Sequence, residues 1–103
     1  MSRIDALKQF LAEDPNDSFS RYALAMEYVK LGEYDDAIRE YRTVAERDPD
    51  YVATYYQLGK ALEHQGLTDE AADTYRKGIS VATRRGDAHT RDELTAAIEM
   101  LVS

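Results

Sequence analysis

Two Asp-Pro pairs, Asp14-Pro15 and Asp48-Pro49, stand 34 residues apart, and the chain around them keeps the same interval. Laying 18–51 over 52–85 pairs identical residues at seven places: Tyr22/Tyr56, Leu24/Leu58, Gly32/Gly66, Asp35/Asp69, Ala37/Ala71, Tyr41/Tyr75 and Arg42/Arg76. A unit of this length cannot bury its own apolar face. Periods of about 20–50 residues therefore mark units that stack on one another into a continuous core.

Within each period the apolar spacing is helical. Leu24, Ala25, Tyr28 and Leu31 fall on one stripe of a 3.6-residue helix, which Gly32 stops. A second helix opens with Asp35 and Asp36 in its first turn, where carboxylates complement the helix dipole. Its stripe is Ala37, Tyr41, Val44 and Ala45. It ends before Pro49, because the residue preceding proline resists the α conformation. The second period repeats the pattern with Leu58, Gly59 and Leu62, a stop at Gly66, Thr68 as N-cap, and then Ala71, Tyr75, Gly78 and Ile79. Each period predicts a helical hairpin with a short loop.

Small residues stand where these hairpins must close. Ala25 and Gly59 occupy equivalent mid-helix places opposite Ala37 and Ala71, with Tyr28, Tyr41 and Tyr75 filling the space beside the crossing. Glycine within a helix costs about 1 kcal/mol relative to alanine, so Gly59 makes sense where close packing demands it. Residues 3–13, with Ile4, Leu7, Phe10 and Leu11, match the second helix of a missing earlier repeat. Residues 87–102, with Leu94, Ile98 and Leu101, form a closing helix. Asp87 or Thr90 is its cap, Thr90–Glu93 fits a capping box, and its outer side is expected to be polar. Thr83 replaces a third proline, so the preceding helix should run on by about a turn before Gly86. Because 3–13 lacks a mate, the chain is also compatible with a piece of a longer array.

Composition narrows the function. The 103 residues suit one domain, and a formal charge of −7 repels polyanions, so nucleic acid and anionic membrane surfaces are not expected partners. The chain contains no cysteine, hence no disulfide, thiolate nucleophile or zinc-thiolate site. No apolar run is long enough to span a bilayer, and Met1-Ser2-Arg3-Ile4-Asp5 lacks the profile of a secretory signal, so a cytoplasmic location is the expectation. His64 and His89 form no metal-ligand pair, the five glycines are single, and Ser18 and Ser20 have no neighbouring base. The acidic pairs Glu13-Asp14, Asp35-Asp36 and Asp92-Glu93 suit helix ends. No enzyme, cofactor or metal site is expected.

The period with Leu24-Ala25, Tyr28, Gly32, Ala37, Tyr41 and Pro49, and again Leu58-Gly59, Gly66, Ala71 and Tyr75, resembles the tetratricopeptide repeat. The resemblance implies an all-α, right-handed superhelix of stacked antiparallel hairpins, about six helices in all. It comprises an N-terminal half repeat (3–14), repeats at 18–51 and 52–85, and a capping helix at 87–102, together a single domain over 1–103. The family's opening tryptophan is Arg21 here and Tyr55 in the second repeat. Val44 and Gly78 stand at its later alanine, Leu62 at its second tyrosine, and Thr83 at its closing proline.

Function must reside in a surface, because this fold by itself performs no chemistry. At ~100° per residue, Phe19, Tyr22, Met26 and Val29 cluster on the side of their helix opposite Leu24, Ala25 and Tyr28, with Lys30 at the edge. The resemblance implies that this side lines a concave groove holding a partner peptide or helix. Its continuation in the second repeat is Ala53, Tyr56, Lys60, Glu63 and His64, apolar at one end and polar at the other. Aromatic and methionine side chains on an exposed patch suit protein binding. The competing expectation is structural: the same rings pack on 3–13 or on a second copy, making a self-associating scaffold or homodimer. Family members that clamp the acidic carboxyl-terminal tails of heat-shock chaperones use lysine and asparagine in the groove. Here Tyr22 and Met26 occupy the matching places, and Gln57 replaces the asparagine. Calorimetric titration with such an acidic tail is therefore expected to give no binding; micromolar affinity would contradict this reading.

Overall fold

A computed structural model describes residues 2–102 and contains six helices and, among those residues, no strand. They are α1 (Arg3–Glu13), α2 (Ser18–Lys30), α3 (Tyr34–Arg47), α4 (Ala53–His64), α5 (Thr68–Arg85) and α6 (Ala88–Val102). Helices α2/α3 and α4/α5 are the two antiparallel hairpins of the 34-residue period. Each helix packs mainly on its neighbours in the chain, and α4 also touches α6. The result is a slab of 43 × 29 × 19 Å, a short superhelix with its core along the seams between helices.

The tight loops follow from backbone chemistry. Gly32 and Gly66, equivalent residues, take φ of 75° and 79°, the left-handed region that other residues enter at a cost. The amides of Glu33 and Leu67 then bond back to Tyr28 and Leu62, satisfying the last carbonyls of α2 and α4. One capping expectation changes here, and the choice between Asp87 and Thr90 is decided for Asp87. Thr68 is the first residue of α5, and Leu67 holds the N-cap position without a side-chain bond. At α6 the cap is Asp87, whose carboxylate accepts from the Thr90 amide (3.1 Å) and hydroxyl (2.7 Å). These bonds hold Asp87 below the usual carboxylate range and leave Thr90 inside the helix. Asp17 caps α2 in the same way through Ser20. Leu31, placed on the inner stripe, lies beyond α2 at its C-cap and is 63% exposed. Helix α5 runs through Thr83 to Arg85, since no proline stops it.

The hairpin crossings are built on residues without room for a side chain. Tyr41 and Tyr75 are wholly buried, as are Ala25, Ala37 and Ala71. A Cβ placed on Gly59 would collide with the Cε1 edge of the Tyr75 ring. Gly59 thus admits the tyrosine of the facing helix rather than only the backbone opposite Ala71. Gly78 does the same work at the next seam: a Cβ there would lie 2.6 Å from Tyr55 Cβ and 2.8 Å from Leu94 Cδ1. One glycine thereby lets α5 approach α4 and α6 together.

The departures at Arg21 and Tyr55 have a common explanation. Arg21 donates to the Pro15 carbonyl (2.9 Å) and to Glu40 Oε1 (2.8 Å), with both charged side chains largely covered. The Tyr55 hydroxyl donates to the Pro49 carbonyl (2.6 Å). Positions 15 and 49 are equivalent, as are 21 and 55. The first helix of each repeat therefore pins the proline turn before it with whichever donor reaches the same carbonyl. Arg47 adds a second bond to Pro15 (2.9 Å).

Gly59→Ala is expected to destabilise the chain by roughly 1–3 kcal/mol in urea unfolding, despite alanine's better helix propensity, because the Tyr75 ring must shift. Gly78→Ala is expected to cost more, since its nearest neighbour is a Cβ carried directly on the α4 backbone.

Candidate functional site

Helices α2, α4 and α6 line one side of the slab, each offering the face its core stripe leaves over. The core leucines Leu24, Leu58 and Leu94 occupy corresponding turns of these helices and are buried. Met26, Lys60 and Ala96 stand two residues beyond them, and Lys30, His64 and Met100 stand six beyond. Large apolar side chains remain in solvent along this side: Phe19 is 68% exposed, Met26 37% and Met100 74%. A cleft of about 230 Å³ opens between α4 and α6, lined by Tyr56, Lys60, Glu93, Ala96, Ala97 and Met100.

Tyrosines form the floor. Tyr22 is half-buried, edge-on to Tyr41 (ring centroids 5.7 Å) and tilted against Tyr51 (5.3 Å). Burial raises the Tyr22 pKa; Tyr51 and, more weakly, the Glu93 carboxylate raise it further, while a hydrogen bond with Gln57 opposes them. Tyr56 is half-buried 6.3 Å from Tyr75, and Lys60 Nζ sits 5.5 Å from the centre of the Tyr56 ring. Lys60 is also 3.6 Å from Glu63, and Lys30 pairs with Glu27 (3.0 Å), which Arg3 of α1 also reaches (3.4 Å).

Val29 and Glu63 occupy equivalent positions with different consequences. Glu63 accepts a short hydrogen bond from the Tyr75 hydroxyl. Val29 offers no acceptor, and the Tyr41 hydroxyl is buried without a partner among the described residues. Burial raises the pKa of both phenols, and the bond to Glu63 adds to the rise at Tyr75.

Seven of the eight residues singled out from the sequence, Phe19, Tyr22, Met26, Val29, Lys30, Tyr56 and Lys60, belong to the faces of α2 and α4 just described. His64 stands apart: its ring stacks on Tyr34 at 3.8 Å and 13°, at the junction where the end of α4 meets the start of α3. Sequence reasoning missed the contribution of α6. Its exposed positions are mostly polar, as expected (His89, Asp92, Glu93, Thr95 and Glu99), but Met100 and Val102 are largely exposed as well. Two extra residues separate Leu58 from Leu94 relative to the 34-residue interval, so the period does not carry over. Counting from the buried leucine restores the alignment and finds Ala96 and Met100. Among the described residues no group of three or more histidines and carboxylates could hold a metal, and no helix is long and apolar enough to cross a membrane.

A family model described as tetratricopeptide repeat matches residues 22–88, and the chain belongs to that family. It is 28% identical over 98 residues to a TPR repeat-containing protein of Pseudomonas aeruginosa, covering 95% of this chain and 93% of that one. A solved tetratricopeptide repeat domain protein from Salinibacter ruber is 44% identical, with a TM-score of 0.81 over 85% of this chain and 89% of the other. The TPR2B domain of yeast Sti1, solved in a complex with pHsp70, shares the fold: TM-score 0.90 at 17% identity, covering 96% of this chain and 79% of that one. Other relatives are much longer, and the chain spans 7–28% of their length. Members of this family are in general protein–protein interaction modules and are typically non-catalytic.

Replacing Glu63 by valine leaves the buried Tyr75 hydroxyl without its acceptor and is expected to cost roughly 1–3 kcal/mol in urea unfolding. The reciprocal Val29→Glu supplies Tyr41 with an acceptor and is expected to lose less, so the two unfolding midpoints should differ in that order.

Proposed function

We propose that the chain is a non-catalytic adaptor that holds an extended or helical segment of a protein partner along the face formed by α2, α4 and α6. The observation that carries this is the line of exposed apolar side chains, Phe19, Met26 and Met100, set beside half-buried Tyr22 and Tyr56 and a cleft of about 230 Å³. Contiguous exposed apolar side chains of this kind mark interaction surfaces. Tyrosine and methionine combine contact area with adaptability, which suits a partner segment that orders as it binds. Phe19, Tyr22, Met26, Val29 and Lys30 receive one end of the segment, and Tyr56 and Lys60 the other; His64, stacked on Tyr34, borders it. The partner is a protein or peptide rather than nucleic acid or membrane, consistent with the charge of −7.

A second reading has its own support. Phe10 on α1 is 53% exposed, and Val102 at the far end of the array is 71% exposed. Both ends therefore carry apolar surface on which copies could associate. Light scattering across a range of concentrations separates the readings: a constant monomer mass removes self-association, and a rising mass supports it.

Selection of a random-peptide library on the full chain tests the groove. Peptides enriched on the wild type are expected to lose at least about tenfold in affinity on the Tyr22→Ala, Met26→Ala double variant, a loss typical of removing central anchors. Helical circular dichroism should be unchanged. Enriched peptides that bind the double variant equally well, or a selection that enriches none, would overturn the reading.

A further inference from the structure

We propose that the partner segment carries a basic side chain, arginine in preference to lysine, which lies against the Tyr22 and Tyr51 rings and faces Glu93. The inference rests on the groove reading and adds the chemistry of the occupant. Tyr22 and Tyr51 lie 5.3 Å apart at 47°, so their rings form an open angle rather than a closed stack, and both are half-buried. A planar guanidinium can lie on one such ring while its charge points outward, which a compact ammonium does less well.

The charged groups that act on the two rings are carboxylates. Glu93 acts on Tyr22, and Asp48 and Asp17 act on Tyr51. Among the described residues Asp48 makes no ion pair, and Glu93 meets only His89, at 4.0 Å. Glu93 also lines the α4–α6 cleft beside Tyr56, Lys60, Ala96 and Met100, so the carboxylate that acts on Tyr22 also belongs to the neighbouring opening. A segment with an arginine near a large apolar residue would address both. The groove already contains the same pairing within the chain: Lys60 lies over the Tyr56 ring with Glu63 3.6 Å away. The net charge of −7 would speed the approach of a basic segment at low salt.

Two other features carry less. The opening between α3 and α5, about 190 Å³, is bridged by the Arg42–Glu70 pair and bordered by Glu46 and Lys77, a mixed rim that selects no partner charge. The Tyr41 hydroxyl is sealed from solvent.

The test uses the same peptide selection with a different readout. Peptides enriched on the wild type should be rich in arginine next to a large apolar residue. Glu93→Lys should weaken such a peptide about tenfold, the scale of a charge reversal beside a cation–π contact. It should leave an uncharged peptide from the same selection unchanged, and added salt should weaken only the basic peptide. Enrichment without a basic bias, or equal affinity on Glu93→Lys, overturns this inference and leaves the groove in place. Equal binding to the Tyr22→Ala, Met26→Ala variant, or a selection without enrichment, removes the groove and this inference with it.

Discussion

The structure depends on how closely two helices of a hairpin can approach. At each crossing one partner supplies hydrogen or methyl where another residue would supply bulk, and the other supplies a buried tyrosine. Gly59 admits the Tyr75 ring, and Gly78 admits both Tyr55 and Leu94. The energetic logic is that of any dense interior: a missing methyl on one surface is matched by ring atoms from the other, and little space remains. Because the core stripes of α2 and α4 are spent on these crossings, their opposite faces are free. The same packing that closes the hairpins therefore leaves the side that carries the candidate site.

Much of this architecture is legible in the residues. The 34-residue interval, the glycine stops at 32 and 66, and the alternation of alanine with tyrosine by themselves specify paired helices. What escaped has physical reasons. Thr68 looks like an N-cap by type, but the left-handed Gly66 turns the chain so that Leu67 takes that place. Leu31 fits the apolar spacing of α2, yet the helix has ended by then, and spacing alone does not encode an end. Arg21 and Tyr55 share no chemistry beyond a donor of suitable reach. Their common bond to a proline carbonyl becomes visible only when the turn is folded beneath them.

The candidate site was legible in part for a related reason. Phe19, Tyr22 and Met26 announce themselves by pattern, since large apolar residues opposite a core stripe have no evident partner. Glu93 and Met100 carry no such mark. Their helix begins after a longer α5, which displaces them from the period, and only Leu94 in the core reveals their alignment. Tyr51 lies in the turn before α4, outside any helical stripe, and joins the candidate site because the fold brings it against Tyr22.

Each helix rests chiefly on those before and after it, with few ties skipping a layer. Such an arrangement behaves mechanically like a short coil spring: small rotations at successive seams add up, and no rigid central body resists them. Opening and closing of the hollow side is accordingly a soft deformation of the whole coil. The width of that side is set by the sum of the seam rotations, while the hairpins themselves stay intact.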